Sequence, residues 1–172
     1  LTNARSLLKV SHLRQHTISV SMQNKILKRI KKILPKTDLV IFSDFNYGCL
    51  PQLLVEKIIE IAAKEKVLMV ADSQSSSQTG NIARFKGMDL ILPTEREARI
   101  SLRNNEDGLI VISDLLLNET HSKYLILKLG ADGILIEDSM AKKPKKNNKW
   151  FTDRLQSFNG NPVDVAGAGD SL

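Results

Sequence analysis

Short apolar runs separated by longer helical stretches constrain the fold of this chain more than any other feature. Residues 38–43 read Asp-Leu-Val-Ile-Phe-Ser, a nearly continuous apolar run, and residues 67–71 and 88–92 provide two more strands of this kind. A strand without polar alternation is buried on both faces. Between the runs lie segments with helical patterning. Met22, Ile26, Ile30 and Ile33 fall near helical spacing in residues 21–34, which Pro35 closes. Residues 52–66 form the next helix, and Pro51 suits its first turn. A short helical segment is expected to end near Gly87, and residues 94–102 are predicted as helix. Residues 107–122 are predicted as helix as well, although Leu109-Ile110-Val111-Ile112 has strand propensity. Residues 124–129 and 134–137 read as strands around Gly130-Ala131-Asp132-Gly133, with another over residues 150–155. Such alternation implies an α/β fold, a mostly parallel sheet with helices on both faces. No repeat or linker divides the 172 residues, a length that suits one domain with a sizeable core.

In sheets of this kind ligands bind beyond the carboxyl ends of the strands. Asp44, Asp72 and Thr94 each follow a predicted strand, so they are expected along one rim. Chemistry is also concentrated in the last nine residues, Asp164-Val165-Ala166-Gly167-Ala168-Gly169-Asp170-Ser171-Leu172. Glycine lets backbone N–H groups approach an anion closely and takes up positive φ. A helix starting at Gly167 and Gly169 would aim free N–H groups and a positive dipole end at a phosphate, with Asp170 beside it as a base. The pattern alone equally suits a glycine-rich turn with solvated aspartates.

Charge and composition exclude several classes. The net charge is +6, of which Lys142, Lys143, Lys145, Lys146 and Lys149 supply five, so the rest of the chain is near neutral. Pro144, Asn147 and Asn148 make that run a solvated turn, and only Trp150 borders it, so the interleaved aromatics of a nucleic-acid binder are missing. No apolar run reaches the ~18 residues of a membrane span. The single cysteine, Cys49, cannot form an internal disulfide, which fits a reducing cytoplasm. His12, His16 and His121 lack metal-ligand spacing with Cys49. Neither a P-loop nor a Gly-x-Gly-x-x-Gly fingerprint is present. The polar loop 73–80 reads as solvated, with hydroxyls that could also meet a phosphate.

Asp-x-x-Gly-Ala-Gly-Asp at residues 164–170 resembles the signature of the ribokinase-like (PfkB) carbohydrate kinases. Lys128-Leu129-Gly130-Ala131-Asp132-Gly133 is similar to the family's strand–Gly-x-x-Gly–strand segment near the nucleotide. Ser43-Asp44-Phe45-Asn46-Tyr47-Gly48 resembles the Ser-Asp-Tyr-x-x-Gly stretch of the heptose 7-phosphate kinases of this family, which also carry an aspartate where Asp72 stands. Pro93-Thr94-Glu95-Arg96-Glu97 takes the place of the family's Asn-x-x-Glu motif, with Thr94 instead of Asn. Thr-x-x-Glu is equally a helix capping box.

The resemblance implies a ribokinase-like three-layer α/β/α fold and transfer of the γ-phosphoryl of ATP to a sugar or sugar-phosphate hydroxyl. Asp170 would be the base, with Gly167, Ala168 and Gly169 as anion hole. Thr94, Glu97, Lys128, Gly130, Gly133 and Asp164 would face the nucleotide, and Asp44 and Asp72 the acceptor. Mg²⁺ would be met through water by Glu97 and Asp164. The acceptor is expected to be a small molecule such as heptose 7-phosphate, with ribokinase- or phosphofructokinase-type acceptors, or a non-catalytic binding module, as alternatives. Nucleic acid and membrane are not expected as partners, and the resemblance allows a homodimer. It also implies that residues 1–172 are part of one kinase domain, without the sugar-binding lid portion and the helices after Asp170. Such a piece alone is expected to be weakly active or inactive.

Overall fold

The computed structural model describes residues 16–73, 81–139 and 152–158. Helix α1 spans Val20–Ile33 and opens at Ser19, whose Oγ accepts from the Met22 N–H at 3.3 Å. Its last turn carries Lys31 and Lys32, the sign that suits a helix carboxyl end. A single 3₁₀ turn, Leu34–Lys36, stops it at Pro35. Strand β1 is Leu39–Asp44, helix α2 Gln52–Lys64 and strand β2 Leu68–Ser73. Leu54, Val55, Ile58 and Ala62 form the buried stripe of α2. A 3₁₀ turn, Ile82–Arg84, provides the short helical segment expected before Gly87.

Strand β3 is only Leu90–Ile91, shorter than the apolar run suggests. Asp89, just before it, takes the Met69 N–H on its side-chain Oδ2 at 2.8 Å, and Pro93, just beyond, has no N–H to offer. Helix α3 is Glu95–Leu102 and helix α4 Leu109–Thr120. The β-branched start of α4 is helical because Ile112, Leu116 and Leu117 bury one side of the helix in the core. Strands β4 (Tyr124–Lys128), β5 (Ile134–Asp138) and β6 (Thr152–Leu155) complete the described elements.

The six strands lie in chain order, β1-β2-β3-β4-β5-β6. Strands β1 to β4 are parallel, whereas β5 and β6 are antiparallel to their neighbours. The sheet is therefore mixed, with a parallel part set by the crossovers of α2 and the later helices. The short turn between β4 and β5 cannot make the dozen-residue crossover that a parallel partner needs.

Register sorts the side chains onto two faces. Phe42, Ala71, Ile91 and Leu125 are aligned across β1 to β4, and Leu127 faces Leu135 on β5. All six are buried in one hydrophobic core, joined by the α2 and α4 stripes, Phe85 and Met88, with Ile26, Leu27 and Ile30 of α1 packed against it. The other face behaves differently: Ile41 is 61% exposed, Leu68 53% and Tyr124 45%. Among the described residues, helices thus cover one face of the sheet. No described helix is long and apolar enough to cross a membrane.

Candidate active site at the strand rim

The carboxyl ends of β1, β2, β3 and β4 share one rim. Beyond β3, Thr94 caps α3 with its Oγ1 accepting from the Glu97 N–H at 3.2 Å, while Glu97 Oε2 accepts from the Thr94 N–H at 2.7 Å. Both halves of the capping box are formed, and they satisfy helix-end donors that would otherwise lack partners. The cap is pinned to the sheet because Thr94 makes an isolated parallel bridge with Lys128, whose N–H donates to Pro93 O at 2.8 Å. Glu97 is buried at 5% exposure, directly behind the cap.

A cavity of about 630 Å³ opens between this helix end and the Gly130 turn, lined by Thr94, Arg96, Arg99, Asn105, Lys128 and Gly130. Arg99 is held by Glu95 Oε1 at 2.8 Å and by the Asp107 carbonyl at 3.0 Å. Lys128 donates to Asp72 Oδ1 at 2.8 Å, and both side chains are mostly buried. That ion pair spans β2 to β4, over the two-residue strand between them. The cavity therefore combines two fixed cations, a hydroxyl and a turn with open backbone, a set suited to a phosphorylated ligand.

The structure brings Thr94, Glu97, Lys128, Gly130 and Asp72 into this one region. Gly133 is at the far end of the turn, with φ +87°, and a Cβ there would lie 2.0 Å from the Leu155 carbonyl oxygen. Its immediate constraint is the backbone of β6. Asp44 is 3% exposed, at the end of β1. Its Oδ2 accepts from Arg84 at 2.5 Å and its Oδ1 from the Asn46 N–H at 3.1 Å. Arg84 also donates to the Leu50 carbonyl at 2.9 Å and lies over the Phe85 ring at 4.6 Å. Asp44 thus fastens the loop after β1 to the core. Asp164, Gly167, Ala168, Gly169 and Asp170 lie outside the described residues, as do residues 74–80 and the lysine run 142–149.

Three of these cavity residues were not among the sequence candidates: Arg96, Arg99 and Asn105. Arg96 had a signal: it is a cation in the first turn of α3, between Glu95 and Glu97, where the helix dipole favours anions. Asn105 sits in a polar turn with no comparable mark. Among the described residues no group of three or more acidic, histidine or cysteine side chains could hold a metal ion. Glu97 offers one carboxylate, a fit for a magnesium ion that is carried on phosphates and keeps its own water.

The mixed six-stranded sheet with its flanking helices has the ribokinase-like α/β fold. Phosphofructokinase-2 from Escherichia coli in complex with potassium superposes with a TM-score of 0.69, at 15% identity over 90% of this chain and 47% of that one. Ribokinase from Giardia lamblia gives 0.64, at 16% identity over 85% of this chain and 44% of that one. The chain belongs to the pfkB family of carbohydrate kinases, whose pattern matches residues 9–172. Among curated proteins it is similar to the bifunctional protein HldE of Campylobacter fetus subsp. fetus, 28% identical over 99% of this chain and 36% of that protein. HldE of Marinomonas sp. is also 28% identical, over 90% of this chain and 30% of that protein. The chain spans about a third of the length of these curated relatives.

Proposed function

We propose that this chain supplies the nucleotide-facing part of an ATP-dependent sugar kinase. The observation that carries the reading is the cavity in which Thr94, Lys128 and Gly130 meet at the capped end of α3. Lys128, a point charge steadied by Asp72, neutralises phosphate oxygens there. Thr94 presents its hydroxyl beside them, and the Gly130 turn leaves room for the ligand along its backbone. Glu97 and Asp164 would hold Mg²⁺ through water, and the ion would supply charge screening between the phosphates. Asp170 accepts the proton of the attacking hydroxyl, and the N–H groups at Gly167, Ala168 and Gly169 stabilise the charge growing on the transferred group. Positioning and electrostatics do most of the work in such a transfer. One oxyanion donor is worth on the order of 3 kcal/mol of barrier.

The acceptor we infer is a sugar phosphate, heptose 7-phosphate in particular. The likeness of residues 43–48 and of Asp72 to the heptose 7-phosphate kinases supports it. The test uses the longest native polypeptide containing these residues, with Mg·ATP and a panel of heptose 7-phosphate, fructose 6-phosphate and ribose. Asp170→Asn is expected to abolish transfer while stabilisation by ATP against heat persists. Full turnover by that variant overturns the mechanism; turnover of ribose or fructose 6-phosphate alone overturns the acceptor.

A further inference from the structure

Helices α1 and α2 pack side by side and leave a groove of about 580 Å³ between them. Lys28 and Lys31 line it from α1, and Lys57 and Lys64 from α2. Leu27 and Ile61, both packed against the hydrophobic core, line it from within. Helix α1 carries five basic and no acidic residues in its 14 positions. The one carboxylate in the groove is Glu60, placed between Lys57 and Lys64 on α2. No ion pair or hydrogen bond joins any of these four ammonium groups to another described residue. Other lysines in the molecule do find carboxylates: Lys86 meets Glu119, Lys123 meets Asp89 and Lys128 meets Asp72.

Like charges on neighbouring helical turns repel. Four of them converging on a concave surface with a single counter-charge make a site whose repulsion is relieved by a multiply charged anion. We propose that this groove binds a compact polyphosphate, an anion of three or more negative charges, independently of the rim cavity. Its volume lies in the range of small-molecule sites. No aromatic side chain lines it, so the stacking platform of a single-stranded nucleic-acid site is missing. Ile26, Leu27 and Ile30 of α1 are engaged with the core, which removes the middle of the apolar stripe that a membrane-surface helix would bury in lipid. The two cavities share no residue.

The test titrates inorganic tripolyphosphate into the whole chain and reads affinity by calorimetry. A Lys28→Glu/Lys57→Glu double variant is expected to bind at least 10-fold more weakly, and a Lys25→Glu/Lys36→Glu variant, with the same charge change outside the groove, to bind as the parent does. Unchanged affinity in the double variant overturns the proposal. So does tighter lysine-dependent binding of a 12-nucleotide DNA strand or of phosphatidylglycerol vesicles, which would make the surface one for macromolecules or lipid. A measurement on the unaltered protein guards against a variant that fails to fold. Tripolyphosphate should protect Lys28, Lys31, Lys57 and Lys64 from acetylation while Lys25 and Lys36 stay reactive. Equal labelling of all six overturns the inference.

Discussion

Gly133 excludes a side chain for reasons of packing. Besides the Leu155 oxygen, a Cβ would lie 2.8 Å from the Gln156 carbonyl carbon, and φ is +87°. Gly130, at φ +61°, would meet nothing within 4 Å. Gly130→Ala is therefore expected to cost only the left-handed backbone penalty, about 1–2 kcal/mol. Gly133→Ala must also displace β6, and its cost should exceed about 3 kcal/mol. Urea midpoints for the two variants check this, and equal losses would remove the packing role. The same contrast applies at Asp44, whose carboxylate is buried under Arg84. Asp44→Ala leaves the guanidinium unpaired, a loss of about 3–5 kcal/mol. A double Asp44→Ala/Arg84→Met variant should recover much of that stability, since it removes both charges. A raised acceptor KM at unchanged stability in Asp44→Ala would instead return Asp44 to the acceptor site.

At the scale of elements, α3 does two jobs with one box. Thr94→Ala removes the cap and is expected to cost about 1 kcal/mol. Thr94→Asn keeps a good cap and restores the residue common in this motif, so both stability and ATP affinity should hold. Thermal midpoints and the KM for ATP of the two variants separate capping from nucleotide contact: a cap alone predicts that Thr94→Ala leaves KM unchanged. This box was legible in the sequence because it is local, three residues from end to end. The link between β4 and β5 was legible as a turn between two strands, and its shortness dictates their antiparallel pairing. The strand propensity of Leu109-Ile110-Val111-Ile112 was misleading, because tertiary burial of Ile112 and Leu116 decides the state. The length of β3 was misleading too, since Asp89 diverts a ladder N–H to its side chain.

For the whole molecule, the rim was legible as a line of strand ends, but its pairings were not. Lys128 and Asp72 are 56 residues apart and Arg84 and Asp44 are 40 apart, and no periodicity brings such pairs together. The same long-range packing buries Glu137 at 1% exposure on the core face of β5. Burial raises its carboxyl above the usual 4.5, and the hydrogen bond from Thr152, at 2.8 Å, only partly opposes this. The folded state then holds a proton that the unfolded chain releases. Stability must fall as pH rises from 4.5 through the raised value, then level off. Asp89 works in the opposite direction. Burial pushes its carboxyl up, but the hydrogen bond from Lys123, the Met69 N–H and the Lys123 charge outweigh that and hold it below 3.8. Its contribution is present above 3.8 and disappears as pH falls through the lowered value. Taken alone, the two groups place the stability maximum between their ranges, near pH 4. Thermal unfolding across acidic and neutral pH should show the decline above 4.5 in the parent chain and its loss in Glu137→Gln, which keeps the shape of the side chain but cannot ionise. A decline that persists unchanged in Glu137→Gln would mean that another group in the fold is responsible for it.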